Sequence, residues 1–140
     1  MVTLNASSVR KDWSAVLDIV AREKPVFFKR TRDEMFLSDI SFLHELLSLY
    51  RFNAQLFNED DGSVTASLDE IDLIENAATK EEAINLLAKS ILEYAKEYYD
   101  DFGYWSRGSR KSHKPYVLKA LLLDNAEAIG GLITCRLGET

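Results

Sequence analysis

Residues 1–47 read MVTLNASSVRKDWSAVLDIVAREKPVFFKRTRDEMFLSDISFLHELL, and the rest of the chain is organised around them. Val2-Thr3-Leu4 is a short β-prone run, and Asn5 follows as a helix N-cap, with Ser7 or Ser8 as alternatives. From there the apolar residues Val9, Trp13, Val16, Leu17 and Val20 share one face of a 3.6-residue period, which predicts one helix over 6–23. Lys24-Pro25 ends it, because the residue before proline is pushed out of the α region. Val26 to Lys29 reads as a strand, Arg30-Thr31-Arg32-Asp33 as a polar turn, and Glu34 to Leu37 as the returning strand. Ser38 is placed to cap a second helix with Ile40, Leu43, Leu46, Leu47 and Tyr50 on its apolar side.

Length and charge bound the remainder. A chain of 140 residues is one domain or two small ones. It holds no apolar run long enough to span a bilayer, and its start lacks the basic-then-apolar pattern of a secretory signal. The single cysteine, Cys135, excludes an internal disulfide and fits a reducing cytoplasm. The net charge of −6 argues against a generic nucleic-acid coat, but its distribution says more. Residues 1–50 carry seven Lys/Arg against seven Asp/Glu, residues 51–100 four against twelve, and residues 101–140 six against four. An acidic middle between basic clusters suggests two surfaces, one suited to DNA phosphates and one to a basic protein partner.

The first third of the chain resembles the N-terminal domain of the Phd/YefM antitoxins of bacterial toxin–antitoxin modules. The resemblance rests on ordered segments: a short strand, Asn5-Ala6-Ser7-Ser8-Val9-Arg10, a helix, Pro25-Val26-Phe27-Phe28-Lys29-Arg30, and Met35-Phe36-Leu37-Ser38 running into a second helix. Members of that family carry an arginine near the start of the first helix and a basic pair at the end of the second strand. Arg10 and Lys29-Arg30 stand in those places. The resemblance implies an α+β fold with a β-α-β-β-α dimerisation domain over residues 1–50. It also implies a homodimer matched to a pseudo-palindromic operator and repression of the protein's own operon. Arg10, Lys11, Lys29, Arg30 and Arg32 are then the candidates for operator contact, set against the plainer reading of a solvated charged surface. The family's C-terminal segment is usually short and often ordered only by its toxin. Here about ninety residues follow, with enough apolar side chains to fold alone.

Those residues, 51–140, read as a second α+β domain for toxin binding or another interaction. Arg51 to Phe57 and Ser63 to Leu68 alternate about the turn Asn58-Glu59-Asp60-Asp61-Gly62, a hairpin pattern, and Ile71 to Ile74 is placed to add a third strand. Thr79 and Glu82 form a capping box before a helix that runs to about Asp100. Strands followed by that helix also resemble, in topology and in the Thr79–Ala83 segment, the compact domain of HicB-type antitoxins. Phe102 to Pro115 reads as a loop, Pro115 as the first turn of another helix, and Asp124 or Asn125 as the cap of a last short helix that Gly130-Gly131 ends or bends. The tail from Leu137 is expected to fray.

For partner contact the candidates are Tyr104, Trp105 and Arg107 in the aromatic, basic loop, and Asp69, Glu70 and Asp72 in the acidic stretch. Tyr, Trp and Arg are common interface anchors, and the same loop suits base stacking or a tuck into the core. Carboxylates fit a basic toxin, and Glu59 to Asp61 fit equally a solvated turn. No phosphate-binding glycine loop, zinc-ligand spacing or nucleophile signature appears around His44, His113 or Cys135, so no enzyme, cofactor or metal is implied. Two other readings stay open. One is an interaction module that keeps the Phd/YefM-like fold without DNA binding, favoured by the net negative charge. The other is a small hydrolase with its site in the C-terminal part.

Overall fold

The computed structural model describes residues 3–138. The chain is α+β and divides into two compact units, Met1–Leu46 and Leu47–Thr140. The division falls a few residues before the boundary after residue 50 that the sequence suggests.

The first unit runs β1 (Leu4–Asn5), α1 (Ala6–Lys11), α2 (Trp13–Arg22), β2 (Val26–Arg30), β3 (Asp33–Leu37) and α3 (Ile40–Leu47), the last residue of which begins the second unit. Val2, read as part of the first strand, lies outside the described residues. Asn5 caps α1 as the sequence indicates: its Oδ1 accepts from the Ser7 N–H at 2.7 Å. The single helix over 6–23 is corrected to two. Asp12 takes φ −105° and ψ 32° and serves as both the C-cap of α1 and the N-cap of α2. A short acidic side chain favours such cap conformations over a helix interior. The break decides which apolar residues are buried. Val9, Val16 and Val20 pack with Val26 into a small core, flanked by Ile19, Phe28 and Leu37. Trp13 and Leu17, read as part of the same stripe, are 47% and 41% exposed.

β1 pairs in parallel with β2 (Leu4 with Phe28, Asn5 with Lys29), and β2 pairs with β3 from Val26–Leu37 to Arg30–Asp33. A two-residue loop closes the hairpin, with Thr31 at φ 56°. The cap of α3 is Asp39 rather than Ser38, since its Oδ1 accepts from the Phe42 N–H at 2.8 Å. Tyr50, read on that helix, lies beyond its end.

In the second unit, β4 (Asn53–Asn58), β5 (Val64–Leu68) and β6 (Leu73–Ala77) form an antiparallel meander. Its hairpin turn is built by Asp61, whose Oδ1 accepts from the Ser63 N–H (2.9 Å) and hydroxyl (2.6 Å), and by Gly62 at φ 88°. These hydrogen bonds from Ser63 hold the Asp61 carboxyl below its usual pKa. Then come α4 (Lys80–Asp100), α5 (Phe102–Trp105), α6 (Lys114–Leu123), α7 (Ala126–Leu132) and β7 (Thr134–Leu137). Sheet order is β6-β5-β4-β7, with β7 parallel to β4. The frayed tail is thereby corrected: Leu137 pairs with Leu56, and the Gly138 N–H donates to the Leu56 carbonyl at 2.7 Å. That strand's partner lies about eighty residues upstream, beyond what local pattern reveals.

Thr79 caps α4, accepting from the Glu82 N–H at 3.2 Å. The helix buries Ala83, Leu87, Ile91, Ala95 and Tyr98 against Phe52, Ala54, Ala66, Leu68 and Ile71 of the sheet layer and Val117, Ala120 and Ile129 of α6 and α7. These residues recur at three- and four-residue steps, the spacing of one helix face. α7 is capped by Asn125 and runs through both glycines. A Cβ on Gly130 would sit 3.6 Å from the Ala88 side chain, ordinary contact distance. No described helix is long and apolar enough to cross a membrane.

Candidate functional site

Pairing geometry places the basic residues of the first unit. Asn5, which starts α1, lies beside Lys29 near the end of β2. Arg10 and Lys11 close α1, Lys29 and Arg30 close β2, and Arg32 sits in the hairpin loop. All five are exposed. Among the described residues, no ion pair or hydrogen bond engages their side chains, although Asp33 and Glu34 stand opposite Arg30 and Lys29 in the hairpin register. The sheet of this unit also bares Phe27 and Phe36, stacked across β2 and β3 with ring centroids 5.7 Å apart.

In the second unit the candidate partner residues divide. Asp69 accepts from the Ser67 hydroxyl (2.9 Å) and the Gln55 amide (3.2 Å). Tyr104 is 68% exposed, edge-on to the half-buried Trp105 at 4.9 Å. Arg107 is exposed and has no ion-pair partner among the described residues. Asp72, in the left-handed region at φ 57° and ψ 42°, places Oδ2 3.6 Å from His113 Nε2. His113 is buried, and its Nδ1 lies 2.5 Å from the Tyr94 hydroxyl. The Arg110 guanidinium lies 5.4 Å from the centres of both the Tyr94 and Trp105 rings. The Tyr98 hydroxyl donates to the Arg110 carbonyl at 2.8 Å.

One network therefore ties the acidic turn between β5 and β6 to α4 and to the basic loop. It joins Asp72 and Trp105, both read from the sequence as surface candidates, through His113, Tyr94 and Arg110, which sequence reasoning did not place together. His113 has no acidic neighbour in the chain, so only the fold could bring Asp72 to it. Burial lowers the pKa of His113; the Asp72 charge opposes that shift and the Arg110 charge adds to it. A neutral imidazole with Nε2–H toward Asp72 leaves Nδ1 to accept from Tyr94, which satisfies both ring nitrogens' surroundings. Glu70 sits apart, in a groove with Tyr50 and Tyr116.

These features define a two-unit α+β protein with an exposed basic set in its first unit and a packed Asp72–His113–Tyr94–Arg110 network in its second. The chain belongs to the PHD_like family, described as antitoxin of toxin–antitoxin, RelE/RelB, TA system, whose model matches residues 1–135. It is also similar to a crystal structure, at 1.80 Å resolution, of a protein from Syntrophomonas wolfei subsp. wolfei described as an antitoxin. The two chains are 34% identical with a TM-score of 0.92, over 99% of this chain and 100% of the other. No curated protein matches the chain. The protein is thus an antitoxin of a toxin–antitoxin system, a regulatory protein rather than an enzyme, and its family implies a toxin as partner.

Proposed function

We propose that this antitoxin is of the Phd/YefM kind and acts in a type II module. The first unit dimerises and binds operator DNA to repress its own operon, and the second captures a protein toxin. The observation that carries the DNA reading is that Arg10, Lys11, Lys29, Arg30 and Arg32 are all exposed and without ion-pair partners among the described residues. Cations left unpaired in the free protein are available for phosphates and base edges. The dimer reading is supported by the bared apolar side chains Trp13, Leu17, Phe27 and Phe36 beside a core that, among the described residues, buries four valines. A unit this small gains buried area by self-association.

The test is binding of the purified protein to DNA from upstream of its own gene across a salt series, beside Arg10→Ala and Arg30→Ala. Tight binding that weakens steeply with salt is expected. Each substitution should lower the log–log salt slope by about two, one phosphate contact for each protomer of a dimer. Binding equal to that on random DNA would leave the first unit as an interaction module without operator recognition.

A further inference from the structure

The stretch 102–123 holds Arg107, Arg110, Lys111, Lys114 and Lys119 and no Asp or Glu, in a chain whose net charge is −6. The fold sorts its side chains by direction. Arg110 and His113 are engaged by the packed network: the Arg110 guanidinium lies against the Tyr94 and Trp105 rings, and His113 is buried with Tyr94 and Asp72. The Arg110 carbonyl accepts from both the Tyr98 hydroxyl and the His113 N–H, at 2.8 and 3.0 Å. The 3₁₀ turn Lys111–His113 is thereby pinned at both ends. Ser109, Lys111 and Ser112 are left exposed and Lys114 half-buried, and all four line one open groove of about 780 Å³. Neither lysine has an ion-pair partner among the described residues.

Tyr50 and Tyr116 line the same groove, edge-to-face with centroids 5.5 Å apart and planes at 85°. The pair is held in place. Tyr116 leans on the fully buried Phe52 at 6.3 Å, and the Lys119 ammonium donates to the Tyr50 carbonyl. Burial first, and then the charge of Arg51, lower the Lys119 pKa, so a further pair of cations stands at the Tyr50 end. Glu70 is the one acid of the groove lining, against two lysines, and its Oε2 is sealed from solvent and so from a ligand in the groove.

Unpaired ammonium groups beside serine hydroxyls bind phosphate oxygens, and fixed tyrosine rings give bases a face on which to stack. A duplex keeps its bases stacked inside, where such rings cannot reach them, so the strand that uses both features is a single one. A free inorganic anion would use the lysines and leave the rings idle. We infer that the groove between Lys111, Lys114, Tyr50 and Tyr116 binds a segment of single-stranded nucleic acid, with phosphates on the lysines and bases on the tyrosines. This site lies in the second unit, apart from the operator surface proposed for the first, and depends on neither the operator reading nor the toxin reading.

The experiment adds hexanucleotides of uridine and of deoxythymidine to the full chain across a salt series. It follows the ring signals of Tyr50 and Tyr116 by NMR and the affinity by fluorescence anisotropy. Saturable shifts at both rings are expected, and the tighter strand identifies the sugar that the groove prefers. Lys111→Ala combined with Lys114→Ala should lower the log–log salt slope by about 1.4, the loss of two phosphate contacts on a single strand. The Tyr94 and Tyr98 rings, in the packed network, should keep their shifts in that variant and report an intact fold. An abasic hexamer of equal charge should bind about tenfold more weakly, because it cannot stack. Equal binding of the abasic strand would overturn the proposal, as would undiminished binding to the double lysine variant. So would binding that Arg10→Ala and Arg30→Ala weaken and the lysine variant does not, which would assign the strand to the first unit. Operator binding is read on duplex DNA with those arginine variants, so the two readings fail separately.

Discussion

His113 concentrates the physical chemistry of the second unit in one side chain. It is buried, faces Tyr94 through Nδ1 and Asp72 through Nε2, and has Arg110 nearby. Burial, the largest cause, and Arg110 both disfavour its charged form, and the exposed Asp72 offsets them in part. The folded-state pKa is therefore below the unfolded one. Between the two values the unfolded chain binds more protons, so stability rises with pH through that window. The contribution is complete above the ordinary histidine pKa of about 6.5 and is lost as pH falls through the lower folded value. Thermal unfolding measured from pH 7.5 down to pH 5 should show a midpoint that falls with acidification, and His113→Gln should flatten that fall. A variant with the same pH dependence as the wild-type protein would show that His113 is not the responsible group. This residue also marks how far sequence reading reaches. The acidic turn and the aromatic, basic loop are each visible as local composition, and so is the capping role of Asn5 and Thr79. Their junction is not, because Asp72 and His113 are forty-one residues apart and meet only when β6 and α4 have folded between them.

At the scale of elements, the β2–β3 hairpin carries a contradiction between its conformation and its residue. Thr31 holds φ 56° in a two-residue loop, where a β-branched side chain is disfavoured by about 1–2 kcal/mol and glycine is not. Strain kept in a loop flanked by Arg30 and Arg32 fits a hairpin shaped for contact rather than for stability. Thr31→Gly should therefore stabilise the first unit, by roughly 0.5–1 kcal/mol after the extra unfolded-chain entropy of glycine is subtracted, read as a raised denaturation midpoint. Destabilisation would mean that the threonine side chain contributes a contact worth more than the strain. Most elements were legible for the same reason that this one is: alternation, caps and prolines act over a few residues. The hairpins, the Thr79-capped helix and the Asn125-capped helix follow from such signals. What escaped was non-local or cooperative. The break at Asp12 depends on how Val9 and Val16 both reach the core, and β7 exists because β4 offers it a parallel edge.

At the scale of the whole molecule, the two tryptophans fall one in each unit, Trp13 in the first and Trp105 in the second. This makes the proposed assembly measurable without labels. If the first unit is stabilised by dimerisation, its unfolding midpoint rises with protein concentration, because mass action favours the associated folded state. Among the described residues the second unit has fifteen fully or nearly buried core residues against four in the first, and it is expected to hold its own structure. In a Trp105→Phe variant the remaining fluorescence reports Trp13, which is 47% exposed in the single chain and would be covered in the dimer. Its emission should shift to the red on dilution, and the thermal midpoint it reports should fall by several degrees for each tenfold dilution into the dissociating range. In Trp13→Phe the Trp105 signal should show a weaker concentration dependence, set only by whatever coupling joins the units. A Trp13 midpoint that ignores concentration, with a monomer mass by sedimentation, would remove the dimer and with it the two-fold match to a palindromic operator. The bared Trp13, Leu17, Phe27 and Phe36 would then belong to a contact with a different protein, and the toxin would become the first partner to test for covering them.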